Sequence, residues 1–257
     1  MILIDTHAHL DSAQFAGDLK EVVSRARAAE VSTIITVGTD LGSSHMAVIL
    51  AEEHPGVFAA VGIHPHEAAH AGDKELAELA LLSKHPKVVA IGETGLDFYR
   101  NLSPPDRQRQ VFLAQLELAR EVDKPVVIHD RDAHVQVLAI LKERMDWRGV
   151  LHCYSGDYEM AVEAMDRGFY LSFAGPVTFQ NAHHLQALVR QLPADRLLLE
   201  TDCPYLAPHP HRGQRNEPAQ VRLVAAKIAD LKGLSLAKLA DITSGNARQL
   251  FGLPAWS

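Results

Sequence analysis

Asp5, His7 and His9 open the chain in a D-x-H-x-H spacing behind a short apolar start. On an extended strand, side chains two apart point the same way. His7 and His9 therefore offer two imidazoles to one face, an arrangement suited to a metal ion. Composition supplies the competing explanation. With 15 His in 257 residues, chance alone yields roughly one such pair. The chain has three, at His7/His9, His64/His66 and His209/His211, so context must decide among them.

The context is a recurrent segregation of polar from apolar residues. Short β-branched runs end in metal-capable groups: His7 and His9 after the first run, "GIHPH" after the third, "GETGLD" after the fourth, "IHDRD" after the fifth, "LHCYSG" after the sixth and "LETDCP" after the eighth. The bodies of the runs hold almost none. Glu93 follows Val88–Ile91, where an unpaired carboxylate would cost several kcal/mol. His129 and His152 each close an apolar run, and Asp202 follows Leu197–Thr201. Four imidazoles and two carboxylates on one rim suit two divalent cations, with a carboxylate able to bridge them. His64, with Pro65 behind it, is expected to support that set or to touch substrate, and His66 to lie at the rim. His209 and His211 sit in a Pro-rich loop with no strand to aim them. Arg212 and Arg215 of that loop are a cationic pair beside the expected cations. Cys153 and Cys203 lack a neighbouring base and are expected to pack.

The elements that must position these residues alternate. Apolar runs at Ile2–Asp5, Thr33–Gly38, Val57–Gly62, Val88–Gly92, Val126–His129, Gly149–His152, Tyr170–Phe173 and Leu197–Glu200 are separated by amphipathic segments. Those segments include Asp18–Glu30, Lys74–Ser83, Asp106–Val122, His134–Arg144, Tyr158–Arg167 and His183–Leu192. The pattern predicts parallel strand–helix units. Eight of them predict an α/β fold, a (β/α)8 TIM barrel with its site at the carboxyl ends of the strands. Two further helices are expected at Glu217–Leu231 and Leu236–Thr243. No linker or low-complexity tract interrupts the chain, so residues 1–257 are expected to form one domain. Two cysteines, no secretory leader and no membrane span point to a cytoplasmic protein. A net charge of −7 argues against a broad electrostatic grip on duplex DNA and leaves phosphates to a local basic mouth or bound cations.

In order along the chain, "DTHAHLD", "VGIHPH", "IGETGLDFYR", "KPVVIHDRDA", "HCYSG", "LSFAGPVTF", "LLLETDCPYLAP", "RGQRNEP" and "NARQLFG" resemble the TatD-like metal-dependent deoxyribonucleases, within the amidohydrolase-like barrels. The resemblance implies two divalent ions (Mg2+, Mn2+ or Zn2+). It puts His7, His9 and Asp202 on one ion and His129 and His152 on the other, with Glu93 shared. It also implies hydrolysis of DNA phosphodiesters, often from the 3′ end of single strands. Gln214 departs from the usual lysine of the R-G-K-x-N-E-P loop, and Tyr154 stands where phenylalanine is commoner.

Within that chemistry Asp202 is the expected general base, and Arg131, Arg212 and Arg215 are the expected phosphate donors. Phe98, Tyr99 and Tyr154 are candidates to stack a terminal base. No membrane or obligate protein partner is expected. The alternative is an amidohydrolase-type enzyme acting on a C–N or ester bond, such as a D-aminoacyl-tRNA deacylase.

Overall fold

A parallel pair of strands cannot be joined by a tight turn, so each connection must cross over, usually through a helix. The computed structural model, which describes residues 1–254, follows that rule around a circle. Eight strands pair in chain order: β1 (Leu3–Ala8), β2 (Val31–Val37), β3 (Val57–Val61), β4 (Val88–Asp97), β5 (Val126–Arg131), β6 (Gly149–Leu151), β7 (Tyr170–Phe173) and β8 (Leu197–Leu199). Every adjacent pair is parallel. The seam between β1 and β8 is narrow. It consists of one isolated bridge, Ala8 with Cys203, flanked by His9 N–H donating to Cys203 O (2.8 Å) and Asp202 N–H donating to His7 O (2.9 Å).

The crossovers are α1 (Leu19–Ala28), α2 (Leu41–Glu53), α3 (Asp73–Leu82), α4 (Pro105–Glu121), α5 (His134–Leu141), α6 (Tyr158–Asp166) and α7 (His183–Gln191). Two more helices follow the barrel, α8 (Val221–Lys232) and α9 (Leu236–Phe251). One buried apolar layer lies between helices and strands, with Leu3, Phe112, Leu116 and Ile128 among its members. A second holds Ile4, Ile35, Val127, Val150 and Leu198 together with Leu250 and Phe251 of α9. None of the helices among the described residues is long and apolar enough to cross a membrane.

Four elements differ from expectation. β1 and β4 do not stop before their polar residues but carry His7, Glu93 and Asp97 inside the strand. Charge ends a strand only where it has no partner, and here other strands supply the partners. α9 runs past Thr243, through Gly245, to Phe251. Its buried residues Leu239, Ala240, Thr243, Ala247, Leu250 and Phe251 keep one face covered, which outweighs the weak local propensity of Thr-Ser-Gly. The helix ends at Gly252, whose φ of 62° suits the left-handed cap. Glu217 does not begin α8, because Pro218–Gln220 form a separate 3-10 turn ahead of it. Trp256, to which the sequence assigns no site role, lies outside the described residues.

Candidate metal centre

Glu93 enters the barrel mouth on a distorted part of β4. The register with β5 shifts between Ile91 and Thr94, and Glu93 N–H leaves the ladder to donate to Gly38 O (3.0 Å). The backbone at Gly92 is crowded by its neighbour: a Cβ on Gly62 would meet Gly92 C at 2.5 Å. Gly92 itself has a φ of 144°, which side-chain-bearing residues rarely adopt. Two glycines thus let the ends of β3 and β4 approach and aim Glu93 inward.

Two sets of ligand atoms share that carboxylate. Glu93 Oε1 lies 2.8 Å from His129 Nδ1 and 2.8 Å from His152 Nε2, and those nitrogens are 3.3 Å apart. Glu93 Oε2 lies 3.4 Å from His7 Nε2 and 3.8 Å from His9 Nε2. His7 Nε2 and His9 Nε2 are 3.3 Å apart, and Asp202 Oδ1 is 3.3 Å from His9 Nε2 and 3.7 Å from His7 Nε2. An ion about 2.0–2.2 Å from each nitrogen and oxygen ligand would set such atoms at spacings of this order. The donor chemistry agrees. His9 Nδ1 lies 3.1 Å from Val37 O, which keeps a proton on Nδ1 and leaves Nε2 facing Asp202 and Glu93. Lone pairs and carboxylates converging in a buried mouth require positive charge. The residues therefore fit a divalent-metal group.

Around this set a further layer fixes ring orientation, as metal-ligating histidines usually require. Asp97 Oδ2 accepts from His129 Nε2 (3.2 Å) and from His66 Nε2 (2.8 Å), while Asp97 Oδ1 takes the Arg100 N–H (2.8 Å). Glu200 lies behind His152, with Oε1 3.5 Å from Nδ1, and accepts the Cys153 N–H at 2.6 Å. Asp5 ties β1 to the β8 end by accepting from Thr201 N (2.9 Å), Thr201 Oγ1 (2.6 Å) and His7 N (3.3 Å). Burial pushes its carboxyl up to about 8 against those donors.

Electrostatics without an ion show protons doing the balancing. Burial opposes ionisation of Glu93, yet His152, His64 and His7 outweigh it and hold the carboxyl well below the usual range. Asp202 is likewise lowered, burial being outweighed by the His9 contact and the positive rings nearby. Burial works against an imidazolium at His9, but Asp202 and Glu93 push it up to about 9. His129 and His152 are raised against burial, by Asp97 with Glu93 and by Glu93 with Glu200. His7 is lowered, by burial and by His152.

The six expected ligands thus converge, while the expected substrate contacts divide. His64 is closer than expected: its Nε2 lies 3.5 Å from Glu93 Oε1, and it groups with Glu93 and His129. Burial pushes it down to about 3, leaving a neutral ring whose Nδ1 accepts the His66 N–H (3.1 Å) and whose Nε2 carries the proton on the side of Glu93. Arg131 lies at the rim with its guanidinium 4.0 Å over the Tyr99 ring, and Arg212 lies 4.5 Å over Phe179.

Two expectations fail on geometry. Arg215 is not free for phosphate, because its fork donates to Asp18 (2.8 and 2.7 Å), Glu217 (2.8 Å) and Gln14 O (2.7 Å). Tyr154 is no platform. It is 4 % exposed, donates to Asp157 O and packs edge-on to Phe173. Phe98 is packed against the core, whereas Tyr99 is exposed. Burial pushes both cysteine thiols up, in keeping with packing roles.

Asp97, Glu200 and Tyr205 escaped sequence reasoning. Asp97 was detectable as the residue four beyond Glu93, hence on the same face of a longer strand. Glu200 was detectable as a carboxylate at the end of a leucine run that no neighbour in sequence could neutralise. Tyr205, 6.2 Å from His9 between ring centroids, carried no local signal.

A parallel barrel with a histidine–carboxylate mouth fits a metal-dependent hydrolase. The family described as TatD related DNase matches residues 4–252, and the chain belongs to it. It is similar to the "Uncharacterized metal-dependent hydrolase YabD" of Bacillus subtilis, 48% identical over 97% of this chain and 99% of that one. It is also similar to the "3'-5' ssDNA/RNA exonuclease TatD" of Cronobacter sakazakii, 42% identical over 97% of both. The crystal structure of YJJV, a TatD homolog from Escherichia coli K12, superposes with a TM-score of 0.93 at 32% identity, covering 98% of each chain.

Proposed function

We propose that the protein hydrolyses phosphodiester bonds of single-stranded nucleic acid from the 3′ end, using two divalent ions. The observation that carries this is the division of Glu93, whose Oε1 serves His129 and His152 while Oε2 serves His7 and His9. Relatives 39% to 42% identical named as 3'-5' ssDNA/RNA exonucleases support the substrate class. His7, His9 and Asp202 would hold one ion and His129 and His152 the other, with Glu93 available to both. The imidazole-rich set suits Zn2+ or Mn2+ better than Mg2+.

Bound there, divalent ions acidify water and neutralise the anionic diester. The remaining work belongs to the chain. Asp202, half-open at the mouth and held ionised by His9 and His7, takes the proton of the attacking water at Oδ1. Asp97 holds the His129 ring through its Nε2, and Glu200 stands behind His152 as a negative charge. His64 presents its neutral Nε2 beside Glu93 Oε1 and completes that wall. Arg131 at the rim offers its fork to the phosphate backbone, its plane fixed by Tyr99.

Metal-loaded protein should shorten a 5′-labelled single-stranded oligonucleotide stepwise and release mononucleotides, with duplex of the same sequence degraded more slowly. Turnover of a D-aminoacyl-tRNA or a lactone with no loss of the oligonucleotide would overturn the reading in favour of C–N or ester hydrolysis.

A further inference from the structure

The loops after β7 and β8 enclose a cavity of about 290 Å³ lined by Phe179, Gln180, Asn181, His209 and Arg212. It is tied to the metal centre by its own backbone. His209 N–H donates to Thr178 Oγ1 (2.8 Å). The Leu206 carbonyl oxygen sits where a Cβ on residue 175 would meet it at 1.8 Å, so only Gly175 allows the two loops to touch. The same loop leads back through Tyr205, whose N–H donates to Asp202 O (3.0 Å).

Arg212 differs from the other arginine of this loop. Arg215 and Arg25 share Asp18 and Glu217. Arg212 has no carboxylate within ion-pair distance among the described residues and rests on the Phe179 ring alone. Stacking fixes the plane of a guanidinium while leaving its edge donors free. In a chain of net charge −7, a pre-oriented and unneutralised fork matches a phosphate. Beside it, Gln180 and Asn181 are exposed and bring amide donors and acceptors, and Phe179 brings an aromatic surface. Phosphate donor, ring and amides within one nucleotide-sized hollow complement one phosphate and its base.

We propose that this hollow is a nucleotide subsite. It binds a phosphate on Arg212 and the attached base against Phe179, Gln180 and Asn181, at a nucleotide upstream of the bond being cleaved. The inference rests on the phosphodiester reading above, and it implies that affinity grows with strand length beyond the cleaved unit.

Arg212→Gln and Phe179→Leu, separately and together, are compared with wild type on a single-stranded oligonucleotide and on bis(p-nitrophenyl) phosphate, which has no further nucleotide to place in the hollow. Each variant should raise KM for the oligonucleotide roughly tenfold, the order of one lost stacking or phosphate contact, at unchanged kcat. Arg212→Gln should also make the slope of log affinity against log salt shallower by about 0.7, one phosphate on a single strand. Metal content and turnover of the small diester should stay at wild-type values. An unchanged oligonucleotide KM, with wild type active, overturns the subsite and leaves the phosphodiester reading intact. If wild type cleaves neither substrate, that reading fails. The subsite is then decided by fluorescence anisotropy with a hydrolysis-resistant phosphorothioate strand, where equal Kd for wild type and Arg212→Gln overturns it and a roughly tenfold weaker Kd sustains it.

Discussion

Replacing Glu93 by Gln keeps its volume but removes the charge that five imidazoles face within 4 Å. The expected outcome is loss of at least one metal equivalent by elemental analysis and of nearly all turnover. Two retained ions with normal rates would refute the shared-carboxylate geometry. Asp202→Asn should behave differently, because His7, His9 and Glu93 still surround its ion. It should retain metal while kcat falls on the order of 10²–10⁴, the usual contribution of a positioned base; an unchanged kcat would remove Asp202 from the mechanism. A pH dependence follows from the protons that His9, His129 and His152 hold in the metal-free state. Each must leave before its nitrogen can bind a cation. Metal affinity should therefore rise with pH up to about 9, where His9 loses its proton, and titrations in buffers of different ionisation enthalpy should show proton release. Affinity that is flat between about pH 6 and 8 would contradict the assigned charge states.

β4 shows how far elements could be read from the chain and where reading stopped. Its apolar half, Val88–Ile91, was legible as a strand, and Glu93 was legible as a ligand. The continuation to Asp97 was not, since an apolar-run rule ends a strand at the first charge, and only β5 and the bound histidines make that charge tolerable. The six candidate ligands were legible because each follows an apolar run. The outer residues Asp97 and Glu200 were not, because their partners lie on other strands. The loop after β8 failed in another way: spacing made Arg212 and Arg215 a pair, whereas folding gave Arg215 to Asp18 of the segment before α1. That assignment is testable. Arg215→Ala should lower Tm slightly, by about 1–3 °C, as exposed ion-pair networks do, and leave oligonucleotide KM unchanged. A KM rise equal to that of Arg212→Gln would restore Arg215 to the substrate.

At the scale of the molecule, the candidate ligands come from β1, β4, β5, the end of β6 and the segment after β8, so an ion held by them would cross-link much of the barrel rim. Ligands that bind only the folded state stabilise it by mass action, about 2.7 kcal/mol at a hundredfold excess over Kd. For a chain of this size that amounts to roughly 5–10 °C in Tm. Removing metal with a chelator should lower Tm by that order in thermal unfolding, and Glu93→Gln should lose most of the difference; an identical Tm with and without chelator would mean that the ions are not integral to the fold.

The seam between β1 and β8 gives that stabilisation a location. One isolated backbone bridge, two backbone hydrogen bonds and the side chains of Thr6 and Asp5 join the first and last strands, and His7, His9 and Asp202 stand on either side of the seam. A cation there would act as an additional rung in a backbone ladder of a single bridge. Stripped of metal, the barrel should open along this line before anywhere else, and the amides of His9 and Asp202 should exchange with deuterium faster while those of β2 and β3 keep their protection. Opening there would also part Asp202 from His7 and His9, so an empty enzyme would lose its base and its binding site in one motion.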